Sequence, residues 1–177
     1  MNKLNSTAEK FILHWGELGT RWGLNRTVAQ IHALLYLSPD PLNAEQIAIL
    51  LSVARSNVSS SLRELQGWGI VRTVHVLGDR RDHFESLKDV WEMFQIILDE
   101  RKRREVDPTL AILRQCVAEP ASTAPGEHYA QKRIKEMLGF FEETSSLYEE
   151  VRRLPVSGLR QVLRFKGQLK RLISGVA

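Results

Sequence analysis

A single cysteine, Cys116, stands in a chain of 177 residues. One thiol excludes an internal disulfide and any cysteine-rich metal cluster, and it predicts a reducing, cytoplasmic setting. Long apolar runs are missing as well. None approaches the roughly 20 residues that span a bilayer, so no membrane association is expected. The opening Met1-Asn2-Lys3-Leu4-Asn5-Ser6 has neither a long apolar stretch nor a small-residue cleavage signal, and predicts no secretory leader. The glycosylation-type triplets at Asn5, Asn25 and Asn57 then read as helix starts or turns. Catalytic signatures are also lacking: there is no phosphate loop, no His/Glu zinc helix and no nucleophile elbow. His14, His32, His75, His83 and His128 are scattered without ligand spacing. No metal, no cofactor and no catalytic residue is expected, and the chain is not read as an enzyme. Cys116, beside Leu113 and Val117, reads as an inert buried thiol; nearby Arg114 keeps a redox sensor as the alternative.

What is present suits a folded chain. Hydrophobic residues make up 43% and charged residues 26%, which is enough to bury a core. The net charge of +4 is compatible with a nucleic-acid partner or an anionic membrane surface, and alone is weak evidence for either. No internal repeat is found. Residues 7–23 read as an amphipathic helix with Phe11, Trp15 and Leu18 at helical spacing, its end thinned by Gly16, Gly19 and Gly23. A second helix starts at Asn25 or Thr27 and stops at Ser38-Pro39-Asp40-Pro41. Asn43 and Gln46 have the spacing of a capping box, with Leu42 and Ile47 as a staple. That third helix runs to about Leu51, and after a turn at Ser52-Val53 a fourth runs from about Ala54 to Gln66. Gly67-Trp68-Gly69 stops it.

Beyond Gly69 the period shortens. Ile70–Leu77 suits a strand, Gly78-Asp79-Arg80-Arg81-Asp82 a polar turn, and His83–Ser86 the returning strand. A long helix then begins near Ser86 or Asp89, with Leu87, Val90, Trp91, Phe94, Ile97 and Leu98 at 3-and-4 spacing. Arg101-Lys102-Arg103-Arg104 sit where cations suit a helix C-terminus. Asp107-Pro108 predicts a fresh start. Glu119–Gly126 reads as a linker, residues 127–153 as a helix with Ala130, Ile134, Met137, Leu138, Phe141 and Tyr148 on one side, and residues 157–174 as a last helix.

Helix, short turn, helix and hairpin in that order over residues 43–86 define a winged helix-turn-helix. Along the second of these helices, at roughly 100° per residue, Val58, Leu62 and Leu65 fall on one inward stripe. The opposite face carries Ser56, Ser59, Ser60 and Arg63, with Asn57 on its flank and Arg55 at its N-terminal edge. Three serines are mediocre helix formers, yet small polar side chains let a helix approach a groove floor. There serine and asparagine bond phosphates or base edges and arginine pairs with guanine. Arg80 and Arg81 project from the hairpin tip as a minor-groove probe would. The bland alternative is a capped surface helix and a solvated turn.

Several pieces together resemble the GbsR-like branch of the MarR-type regulators. They are Trp15-Gly16-Glu17-Leu18-Gly19, Asn25-Arg26-Thr27, Leu42-Asn43-Ala44-Glu45-Gln46-Ile47-Ala48, Ser56–Leu65, Trp68-Gly69-Ile70-Val71, Gly78–Asp82, Asp89-Val90-Trp91 and Glu100–Arg104. The resemblance covers most of residues 10–118. It implies a homodimeric, DNA-binding transcriptional regulator, typically a repressor, that grips a two-fold operator on double-stranded DNA. It also implies that Asp79 orients Arg81 and that Arg81 enters the groove. For this branch it implies a choline-type or betaine effector. Trp15, Trp22, Trp91 and Phe94 are the candidate aromatic cage, core packing being the alternative.

The expected architecture is therefore mainly α with a small β-hairpin wing. Residues 1–87 form the winged helix-turn-helix domain with its N-terminal helix, and residues 88–177 a helical linker and dimerisation region. The rival function is a winged-helix protein–protein adaptor without DNA affinity.

Overall fold

A computed structural model describes residues 4–119, 127–155 and 158. The chain divides into two compact units, Met1–Ile96 and Ile97–Ala177.

The first unit begins with α1 (Ser6–Arg21) and α2 (Arg26–Leu37). Each has an asparagine cap. Asn5 Oδ1 accepts from the Ala8 N–H and Asn25 Oδ1 from the Thr27 N–H. α2 is the hub of the core: Val28, Ala29, Ile31, His32, Ala33, Leu34 and Leu35 are all buried. α1 packs against it through Ile12, Gly16 and Gly19. The expected contact face of α1 is thus turned by one residue, and Phe11, Trp15 and Leu18 are only half-buried. Nor do Gly16 and Gly19 merely thin the helix end. A Cβ at Gly19 would lie 2.5 Å from the Ala29 Cβ, so glycine there sets how closely the two helices approach.

The helix-turn-helix follows. A two-residue strand β1 (Leu42–Asn43) leads into α3 (Ala44–Leu51), and α4 spans Arg55–Gly67. The capping box at Asn43 and Gln46 is formed on both sides: Asn43 Oδ1 accepts from the Gln46 N–H at 3.0 Å, and Gln46 Oε1 from the Asn43 N–H at 2.8 Å. Ser52 closes α3 in the left-handed region at φ 53°. That conformation turns the chain tightly enough to bring α4 across α3.

β2 (Val71–Val74) and β3 (His83–Ser86) form the wing. The sheet is antiparallel in the order β1-β3-β2, with Asn43 opposite His83 and Arg72 opposite Glu85. Sequence patterning missed β1, and it extended β2 to Leu77. The strand stops at Val74 because residues 75–77 have no partner across the sheet; Leu77 is fully exposed.

α5 (Val90–Arg101) starts later than expected, because Ser86 completes β3. The Asp89 carboxylate caps it, accepting from the Trp91 and Glu92 N–H groups. Met93 is its buried residue, whereas Val90 and Phe94 of the expected stripe are largely exposed.

In the second unit the helix does not end at the basic run. Lys102–Val106 form a π-helical turn, and α6 (Asp107–Ala118) continues from it. α7 spans Glu127–Arg153. Its half-buried stripe runs through Ile134, Leu138, Phe141, Ser145 and Tyr148, while Ala130 and Met137 are exposed. The expected linker beyond Glu119 and the helix over 157–174 lie outside the described residues, apart from Gly158. No described helix is long and apolar enough to cross a membrane.

Candidate nucleic-acid interface

α4 presents two chemically distinct faces. Val58, Ser61, Leu62 and Leu65 are buried. Arg55, Ser56, Asn57, Ser59, Ser60 and Arg63 are all exposed. The serine hydroxyls are tied back to the helix: Ser59 Oγ donates to the Arg55 carbonyl, and Ser60 Oγ to the carbonyls of Ser56 and Asn57. Bonds of this kind hold the small side chains close to the backbone and keep their lone pairs outward. The face is consequently shallow, with arginines at both ends. The first turn of α4 has neither an acidic residue nor a side-chain cap, and residues 54–57 are exposed, so no acid of that turn offsets the positive dipole end.

The wing tip is built around Arg81. The Asp79 carboxylate takes its Nε and Nη2 in a fork, with Nη2 to Oδ2 at 2.6 Å. The Arg81 backbone N–H also donates to Asp79 Oδ1 at 3.0 Å. From α3, Glu45 Oε2 accepts from Arg81 Nη1 at 3.2 Å. This contact follows from the sheet register, since β1 pairs Asn43 with His83 and Glu45 is two residues further on. The hydrogen bonds from Arg81 hold the Asp79 carboxyl far below the usual carboxylate range, and Asp79 in turn raises the guanidinium. Buried His83 has an oxygen acceptor beside each ring nitrogen: Nδ1 lies 2.9 Å from the Arg81 carbonyl and Nε2 3.5 Å from Asp79 Oδ2. Arg80, beside Arg81, is exposed. Lower on the wing Arg72 pairs with Glu85 at 2.6 Å.

A separate feature of the first unit is a cavity of about 210 Å³. Phe11 and Trp15 of α1, His32, Ala33 and Tyr36 of α2, and Val90 and Met93 of α5 line it. Of the four aromatics expected to form a cage, Trp15 alone reaches it. Trp22 is the C-cap residue of α1 and half-exposed, Phe94 is 41% exposed, and Trp91 does not line the space. Among the described residues, no carboxylate lines the cavity. Burial, and then the Lys88 ammonium, push the His32 imidazole down to about 4, so it is neutral at pH 7. Its Nε2 is buried without a hydrogen-bond partner.

Sequence reasoning missed His32, and it missed Lys88. The Lys88 ammonium donates to the carbonyls of Leu35, Tyr36 and Ser38 and sits 5.9 Å from the centre of the Tyr36 ring. It thereby satisfies the C-terminus of α2. No local spacing announces such a contact, because 50 or more positions separate the partners.

The basic run at 101–104 is neutralised within the second unit. Arg101 pairs with Glu105, Arg103 and Arg104 with Glu100, and Lys102 with Asp107 and Glu149. Its role as a helix-terminal cation cluster is therefore corrected, since the helix runs on through it. Cys116 is half-buried. No group of three or more His, Cys, Asp or Glu side chains able to hold a metal occurs among the described residues.

Comparison with known proteins places this geometry. A MarR family model matches residues 22–82, the stretch from the end of α1 to the wing tip. A solved structure described as a transcriptional regulator aligns with a TM-score of 0.62 and 18% identity, covering 82% of this chain and 95% of that one. A transcriptional regulator from Thermotoga maritima aligns with a TM-score of 0.39 and 18% identity, covering 79% of this chain and 92% of the other. No curated protein matches the chain. The architecture is mainly helical with a small three-stranded antiparallel sheet, and the MarR family match falls on its winged-helix part.

Proposed function

We propose that this chain, with a MarR-type winged helix over residues 22–82, is a sequence-specific, homodimeric DNA-binding regulator that represses transcription. The observation that carries the reading is the exposed face of α4. It sets Arg55, Ser56, Asn57, Ser59, Ser60 and Arg63 around a shallow polar surface, and its apolar residues are buried. α4 reads the major groove, and the wing, with Arg80 and Arg81 at its tip, reads the adjacent minor groove.

Pairing of two chains is supported by the second unit. Ile112, Phe140 and Leu147 are each about 60% exposed on α6 and α7, apolar surface that a second copy would cover. Residues 1–87 would then serve DNA and residues 88–177 pairing. The cavity beside His32 is the seat of a small effector. Its rings suit an apolar or aromatic ligand. A choline-type cation is less well served, since no carboxylate among the described residues lines the space and Tyr36 already faces the Lys88 ammonium.

Binding-site selection from random duplexes, read by sequencing, tests the proposal. A two-fold motif with half-sites about one helical turn apart is expected. Arg63→Ala should cost roughly 1–3 kcal/mol and relax preference at one base pair per half-site. Sedimentation should show a dimer at micromolar concentration. Failure to enrich any motif, with affinity insensitive to salt, would leave a protein–protein adaptor as the function.

A further inference from the structure

Arg81 is held by two carboxylates of very different standing. Asp79 makes four contacts with it from two residues away: three to the guanidinium and one to its backbone N–H. Glu45 makes a single 3.2 Å contact from another element, and its side chain is 57% exposed. A guanidinium has five N–H donors. Asp79 occupies the Nε edge, and Glu45 takes one donor at the outer end, the end a groove-entering arginine must present. The trio Asp79, Glu45 and Arg81 carries two negative charges and one positive. Within this trio the positive charge that Arg81 would offer a polyanion is therefore more than offset.

We infer that Glu45 is a displaceable stand-in for DNA on Arg81. In the free protein its carboxylate occupies the donor that a minor-groove acceptor or phosphate oxygen takes in the complex. Asp79 remains in place throughout, because it is anchored by the backbone of the same turn. Glu45 thus lowers DNA affinity and holds the wing arginine in an extended, docked pose until a duplex competes for it. This rests on the reading of the chain as a DNA-binding protein.

Removing the stand-in should strengthen binding, the opposite of what loss of a simple supporting contact would do. A freed cation adds to the phosphates neutralised on binding, and each such charge steepens the dependence of log K on log salt by about 0.9. Anisotropy titrations of the full chain on its selected duplex, repeated over a range of salt, measure both quantities. Glu45→Gln and Glu45→Ala are expected to tighten binding by roughly threefold or more near 0.1 M salt and to steepen the slope by about one. Asp79→Asn and Arg81→Ala are expected to weaken it. A purely structural role for Glu45 would lower affinity and leave the slope unmoved. Weaker or unchanged binding by both Glu45 variants, with Arg81→Ala still impaired, would overturn the stand-in while preserving the DNA-binding reading. A wild-type chain with no affinity for any duplex would overturn both.

Discussion

His32 makes stability depend on pH in a narrow and identifiable window. Its ring lies between Trp15 and Tyr36, with centroids 6.4 and 6.5 Å away. Lys88 is the charged group that acts on it, and burial is the larger cause of its low pKa, about 4 against an ordinary 6.5. Between those two values the unfolded chain binds a proton that the folded chain refuses. Stability therefore rises with pH through the window and is lost as pH falls from about 6.5 towards 4. The whole gap is worth about 3 kcal/mol, and at pH 5 about 2 kcal/mol of it is already gone. Urea unfolding at pH 7.5 and pH 5 measures the loss directly. His32→Gln removes the titrating group at nearly the same volume, so its loss over that interval should be smaller by about 2 kcal/mol, whatever its stability at pH 7.5. The other histidines are common to both proteins and cancel, and Asp79, with its depressed carboxyl, titrates below the window. Parallel losses in the two proteins would refute the reasoning, because His32 would then be protonated in the folded state.

Two further outcomes bear on the scaffold that aims α4. Gly19→Ala places a methyl 2.5 Å from the Ala29 Cβ, well inside the contact optimum of about 3.5–4.0 Å, and should cost roughly 1–3 kcal/mol in thermal melts. Adding Ala29→Gly should recover part of that loss. At Gly16 the neighbour is the flexible side chain of Gln30, and the same substitution should be milder. Asn43→Ala removes the oxygen that accepts from the Glu45 and Gln46 N–H groups. It should destabilise by about 0.5–2 kcal/mol and speed hydrogen exchange at those two amides; unchanged exchange would show that the cap does not hold the start of α3.

The winged half was legible wherever the signal is local. The capping box at Asn43, the stop at Gly67-Trp68-Gly69 and the inward stripe Val58, Leu62 and Leu65 each lie within a few residues, and physics at that range is written directly in sequence. Contacts between distant segments were not legible. β1 is two residues long, and its pairing with β3 depends on where the turn after β2 delivers His83. The face of α1 was misjudged because the pattern ranks large aromatic residues as core. The actual contact is made at Gly16 and Gly19, where small size lets α2 approach. For the same reason four aromatics looked like one cage. α1 and α5 do meet at one cavity, but through Phe11, Trp15, Val90 and Met93, so of the four aromatics only Trp15 lines it.

The turn at Lys102–Val106 shows how a correct local rule can give a wrong break. Pro108 has no N–H to donate to the carbonyl four residues back, and its ring crowds that carbonyl, so a proline in such a pattern reads as the start of a new helix. Here the strain is absorbed one turn earlier. The Asp107 N–H reaches the Lys102 carbonyl, five residues back, and the widened π turn makes room for the ring. Thr109 Oγ1 then satisfies the Glu105 carbonyl. The charges fit the same geometry. The Lys102 ammonium bridges Asp107 at 2.7 Å and Glu149 at 3.3 Å, while the Asp99 carboxylate accepts from Tyr148 and Arg152 on α7. A basic run beside a proline thus marks one wide helical turn, fastened to α7 at its first residue and just before it. The sequence offered the proline, the acids and the bases, but which acid meets which base was decided by the register of two helices about 50 positions apart.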